Sequence, residues 1–131
     1  MEILLASAVV AVGLLSIAGA VIYSTRVGAQ AARQTVALQY AKQLIQLSKL
    51  YNLPRVAPIN DAPSARTAVD AAPFAGVVSP NANYRRNLRM TPLSSVPTDY
   101  RSQLYQIDVT VYWQDRGREV YLHDSAVHRA P

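Results

Sequence analysis

Cysteine is absent from this 131-residue chain, and histidine occurs only twice. The first absence excludes a disulfide framework and a thiolate metal site; together they leave almost no material for a catalytic metal centre. There is no glycine-rich phosphate loop, no paired-carboxylate signature and no metal-ligand spacing. His123 and His128, with Asp124 between them, read as polar residues of a hairpin and tail. Ser94, Ser95 and Asp99 have no histidine in a recognisable motif. The expectation is therefore a protein with no catalytic, cofactor-binding or metal-binding residues, and not an enzyme. Two further absences are local. No charged residue lies between Ile3 and Ile22, and no proline precedes Pro54. The length allows one domain of ordinary size.

What fills the first gap is ILLASAVVAVGLLSIAGAVI, twenty residues whose only mildly polar members are Ser7 and Ser16. As a helix it spans roughly 30 Å at about 1.5 Å per residue, the thickness of a hydrocarbon core. A cleaved signal peptide competes with this reading, but its n-region is basic and its apolar core shorter. A buried helix of a soluble domain is the other competitor. Glu2 stands at the edge of the run, where a carboxylate is costly unless water or a cation reaches it. It either sits at an interface and favours the helix N-terminus through the macrodipole, or pairs with a positive group such as the terminal amine of a neighbouring copy.

Past Tyr23 and Arg26 the pattern turns amphipathic. Val36, Tyr40, Leu44, Leu47 and Tyr51 recur at helical spacing, with Arg33, Gln34, Lys42, Gln43, Gln46 and Lys49 on other faces. Asn52 and Pro54 supply the stop. Ile3 to Tyr51 would form a rod of roughly 70 Å at 1.5 Å per residue, too long for a compact domain of this size. Residues 52–100 carry seven prolines, which block helix and central strand. This stretch reads as a long loop with at most one short strand or turn of helix, pinned by Phe74, Val77, Val78, Tyr84 and Leu88. Tyr84, Arg85, Arg86 and Arg89 form a basic, aromatic cluster that would suit nucleic acid or an anionic surface; a solvated loop with local ion pairs explains the same residues.

The clearest β signal is LYQIDVTVYW at 104–113, where Tyr105, Ile107, Val109, Val111 and Trp113 alternate with polar positions. QDRGR at 114–118 predicts a turn in which Gly117 takes a positive φ, and EVYLH at 119–123 returns as the partner strand. The apolar face of this hairpin needs a cover, and the 36–51 stripe is the long amphipathic surface available. The expected fold class is α+β: a long N-terminal helix with a small C-terminal antiparallel sheet on its second half. Segment 1–25 is the apolar membrane or filament-core helix; 26–131 is the head, made of the 26–51 helix half, the 52–100 loop region and the 104–123 hairpin.

The stretch EILLASAVVAVGLLSIAGAVIYSTR, with Glu2 opening an apolar helix, and the closing hairpin VTVYWQDRGREVYL resemble the type IV pilin superfamily, including minor pilins and the pseudopilins of type II secretion. The resemblance implies a subunit held in the inner membrane before assembly, then moved by an assembly machinery into an extracellular or periplasmic filament of its own copies or related pilins. Glu2 would take the part of the family's conserved glutamate. Gly19 falls where major pilins usually carry a helix-breaking proline, and Gly13, Leu14, Leu15 and Gly19 become candidate assembly residues with Glu2. Glycine weakens helix by up to about 1 kcal/mol, so irregular backbone between Gly13 and Gly19 is expected in a filament and continuous helix in a monomer. The sequence departs from the family in three ways. Glu2 is second rather than fifth with no leader before it, so the chain either begins inside the usual mature end or is processed differently. The C-terminal disulfide of many major pilins is impossible. All 13 basic residues follow Tyr23, a distribution that on its own would orient the head toward the cytoplasm.

Two functions compete. The first is structural: a filament subunit whose small residues, Ala6, Ala8, Ala11, Gly13, Ala18, Gly19 and Ala20, let helices approach closely. The second is a membrane-anchored or filament-tip module that holds DNA or an anionic surface through Arg85, Arg86 and Arg89, with affinity that falls with salt.

Overall fold

The computed structural model describes residues 2–130, excluding the side chains of 2, 4 and 5. The chain divides into two units, Met1–Arg33 and Gln34–Pro131. Helix α1 (Glu2–Leu50) contributes to both and passes through Gly13, Gly19 and Gly28 without a break. Two of its hydroxyls in the first unit are satisfied by the helix itself. Ser16 Oγ donates to Val12 O at 2.8 Å, and Thr25 Oγ1 donates to Ile22 O at 2.9 Å. Neither hydroxyl then needs water, a condition for residence in lipid.

In the second unit, α1 ends as its stop signals require. Tyr51 N donates to Leu47 O at 3.0 Å and Asn52 N to Lys49 O at 3.1 Å, and Asn52 takes the left-handed conformation at φ 50° that asparagine tolerates better than most residues. A single turn, α2 (Leu53–Val56), follows with Pro54 near its start, where the missing amide costs nothing.

The sheet contains β1 (Thr67–Ala68), β2 (Tyr84–Pro92), β3 (Leu104–Asp115) and β4 (Arg118–Arg129), in that spatial order and antiparallel throughout. The β3–β4 hairpin is longer and its turn tighter than the sequence pattern predicts. Asp115 pairs with Arg118, so only Arg116 and Gly117 lie in the turn, with φ 52° and 76°. Positive φ at both central residues gives the turn whose twist matches the strands it joins. Beyond His123, β4 continues to Arg129, with Ala126 opposite Ile107 and Val127 opposite Gln106.

The 52–100 region departs most from expectation. Instead of a loop with one short element, it contains α2, β1 and the nine-residue β2. The irregular segments between them line the β2 edge: Met90 N donates to Ile59 O and Asp61 N to Leu88 O, both at 3.0 Å. Of the residues expected to pin this region, Phe74, Val78, Tyr84 and Leu88 are buried, while Val77 remains exposed.

Ile107, Val109, Val111 and Trp113 from β3 meet Tyr84, Leu88 and Met90 from β2 in one core with Ala37, Tyr40, Ala41, Leu44 and Ile45 of α1. The helix approaches through its alanines, both fully buried. An aromatic chain runs across the layer, with Tyr40 and Tyr84 ring centroids 5.3 Å apart and Tyr84 and Trp113 6.2 Å apart, tilted as ring quadrupoles favour. Tyr51, the last member of the predicted stripe, is exposed; Ser48 is buried instead and bonds Leu44 O at 2.7 Å.

Candidate assembly surface and exposed faces of the head

Between Ala6 and Gln34 every residue is exposed. Val9, Val10, Val12, Leu14, Leu15, Ile17, Val21 and Ile22 are all more than half exposed, Leu15 reaching 74%. At about 100° per residue these positions cover every side of the helix rather than a stripe. An amphipathic surface helix has one apolar face to hide; a helix apolar on all sides is stable only among lipid tails or other helices. Among the described residues, one helix, α1, is long and apolar enough to cross a membrane. An added Cβ at Gly13 or Gly19 would meet nothing within 4 Å, so neither glycine is required by a contact within the described residues. The side chain of Glu2 lies outside the described residues.

The structure separates the three arginines of the predicted basic cluster. All lie on β2, where successive side chains point to opposite faces. Arg85 and Arg89 are exposed on the face away from the helix, whereas Arg86 points into the core and is only 1% exposed. Its Nη2 donates to Ala72 O at 3.1 Å, its Nη1 lies 3.4 Å from Asp61 Oδ2, and its guanidinium sits 5.3 Å from the centre of the Phe74 ring. Burial lowers the Arg86 pKa, and the Asp61 charge opposes that shift. Arg86 is a structural cation with no surface open to an external anion.

The outer face carries a second arrangement that sequence spacing does not reveal. Arg66 stacks over the Tyr112 ring at 3.8 Å to its centroid and makes a two-pronged pair with Glu119 at 3.0 and 3.1 Å, across 53 residues of sequence. Hydrogen bonding to Glu119 raises the Arg66 pKa and holds the Glu119 carboxyl below its ordinary value. Tyr112 in turn neighbours Tyr121, centroid to centroid 6.1 Å. Asn87, beside these, is buried by the 62–65 turn and donates to Ala62 O at 2.6 Å.

The histidines and serines do not converge. His123 and His128 fall on opposite faces of β4. His123 Nδ1 is 3.1 Å from Thr110 Oγ1, and its Nε2 is 3.8 Å from Asp108. Asp99 accepts from Arg101 N and from its side chain, both at 3.0 Å, which lowers its pKa. Ser94 Oγ accepts from Val96 N at 3.2 Å.

Compared with protein-family models, curated proteins and solved structures, the chain matches none. A long apolar N-terminal helix joined to a small antiparallel sheet is compatible with a pilin-like fold.

Proposed function

We propose that the chain is a structural subunit of a type IV pilus-like or pseudopilus filament, resident in the inner membrane before assembly and polymerised through its N-terminal helix with copies of itself or related pilins. The observation that carries this reading is the apolar surface of residues 6–22, open on all sides of α1. In lipid that surface is solvated by tails; in water it must be covered, at about 25 cal/mol for each Å² removed. A bundle of like helices covers all sides at once, which a single partner cannot do. Glu2 then neutralises a positive group of a neighbour, and Gly13 and Gly19 permit close backbone approach.

Electron microscopy of the full chain after detergent removal tests the proposal. Regular fibres are expected from the wild type, and none from a Leu14→Asp, Leu15→Asp variant whose head still folds. A monodisperse monomer in water, or amorphous material without fibres, refutes it. A second reading, the anchored or tip module for DNA or an anionic surface, is supported by the exposure of Arg85 and Arg89. It requires that the Arg85→Ala, Arg89→Ala variant lose salt-sensitive binding to DNA while still forming fibres.

A further inference from the structure

At one end of the sheet, Arg55, Ser102, Gln103, Tyr105 and Ala130 line a half-open cavity of about 350 Å³. Arg55 comes from α2, Ser102 and Gln103 from the 3-10 turn Tyr100–Gln103, Tyr105 from the start of β3, and Ala130 from the residue after β4. Three stretches of chain therefore build it, and backbone hydrogen bonds tie those at the end of the sheet. Ala130 N donates to Gln103 O at 2.9 Å, Leu93 N to Leu104 O at 2.8 Å, and Ser102 N to Asp99 O at 2.9 Å.

The lining has one formal charge, and it is positive. Arg55 has no carboxylate partner among the described residues. Asp99, which caps the 3-10 turn, is already paired with Arg101 at 2.9 Å. Tyr105 stands opposite His128 in the strand register, and His128 Nε2 is buried without a hydrogen-bond partner. The end of the sheet thus holds a cavity whose lining residues carry hydroxyl, amide and guanidinium groups, and the strand partner of one of them has an unsatisfied ring nitrogen. Its volume falls in the range of about 300–1,000 Å³ found for small-molecule sites.

We infer that this cavity binds a hydroxylated carboxylate, such as a sugar acid. A planar guanidinium matches a carboxylate with two parallel hydrogen bonds. One cation balances one negative charge, which favours a carboxylate over a phosphate dianion. Gln103 and Tyr105 offer donors and acceptors for hydroxyl groups, and Ser102 Oγ, which donates to Pro97 O at 3.4 Å, offers an acceptor; the Tyr105 ring with the Ala130 methyl supplies an apolar wall for the C–H face of a sugar. The inference stands independently of filament assembly.

The test uses the full chain in micelles of a detergent without a sugar headgroup, and saturation-transfer NMR with D-glucuronate, methyl β-D-glucuronide, D-glucose and inorganic phosphate. Glucuronate should bind about tenfold or more tightly than glucose, the expected value of a charged hydrogen bond. Arg55→Gln should abolish that preference, and Tyr105→Phe should weaken both sugars while keeping it. Trp113 emission serves as the folding control. If the methyl glycoside binds as the free acid does, the anomeric oxygen points to the open mouth and the ligand is the end of an acidic glycan. If only the free acid binds, the ligand is a free sugar acid. Equal affinity for glucuronate and glucose, binding unchanged in Arg55→Gln, tighter binding of phosphate, or no binding of any of the four overturns the inference.

Discussion

Replacing Asp61 by alanine tests the account of the buried cation at its most exposed point. Asp61 Oδ2 lies 3.4 Å from Arg86 Nη1 and accepts from Leu88 N at 3.0 Å. Removing it leaves a guanidinium that is only 1% exposed without its counter-charge, a change that costs about 3–5 kcal/mol at a buried pair. The orphaned Leu88 amide adds about 1–3 kcal/mol if nothing replaces the acceptor. The two figures overlap, because one relaxation of the 59–61 segment would relieve both, so the expected loss is about 3–5 kcal/mol. Arg86→Met should cost less, about 1–3 kcal/mol, because an apolar side chain of similar length can fill the space over Phe74 and the main loss is the donor to Ala72 O. Its abandoned partner Asp61 is 18% exposed, can reach water, and still accepts from Leu88 N. The double variant should be more stable than Asp61→Ala alone. Urea unfolding of the full chain in detergent micelles, followed by Trp113, measures all three. Trp113 is the sole tryptophan and is buried in the core under study, so its emission reports the head alone. If Arg86→Met is as damaging as Asp61→Ala, or Asp61→Ala lies within about 1 kcal/mol of wild type, the asymmetry argument fails.

The other predictions concern the helix and the sheet. Leu44→Ala removes a fully buried side chain and should destabilise the head by about 2–5 kcal/mol, whereas Leu14→Ala should leave the head's urea midpoint unchanged; equal effects would contradict the division of the helix. Gly13→Ala and Gly19→Ala meet open space and should each stabilise helix in a monomer by about 0.8–1 kcal/mol, measured by circular dichroism in micelles, yet lower fibre yield; unchanged yield would show that neither glycine unwinds or makes a close contact in a filament. Glu119 is held below its ordinary pKa by Arg66, so its contribution is present above the unfolded carboxylate pKa of about 4.3 and fades as pH falls through the lower folded value. The wild type should therefore melt slightly above Glu119→Gln at neutral pH and level with it in acid; a gap that widens on acidification would reverse the assignment.

The parts of the fold that were legible are those where one physical property repeats without exception. Ile107, Val109, Val111 and Trp113 alternate without interruption, and all four are buried, so β3 could be read directly. The first half of α1 was legible from composition alone, because twenty residues without a charge have few alternatives to helix. β2 was hidden for two reasons. Its inward positions are Tyr84, Arg86, Leu88 and Met90, and the arginine breaks an otherwise apolar alternation; it is tolerated only because Asp61 and Ala72, distant in sequence, supply its partners. The many prolines around it also argue for loop, yet Pro92 sits at the strand's end, where an absent amide costs the ladder little. The far half of β4 was hidden because Asp124, Ser125 and His128 make an edge strand look like a tail, and only pairing with β3 identifies it.

The same physics makes the exposed apolar surface of α1 readable from sequence and the arginine cluster not. An apolar surface that surrounds a helix is insensitive to azimuth: any rotation of residues 6–22 presents the same chemistry, so composition is enough to find it. A cluster of three arginines is sensitive to local geometry. Positions 85, 86 and 89 would crowd one side of a helix, where residues i and i+4 are neighbours. On a strand, the odd step from 85 to 86 reverses the direction of the side chain, while the even step from 85 to 89 preserves it. The backbone conformation of β2 therefore divides one apparent site into a surface pair and a buried cation with different partners. A charge cluster acquires a functional meaning only after the period of its backbone is known, and in β2 that period is set by hydrogen bonds to β3 rather than by the side chains of the cluster itself.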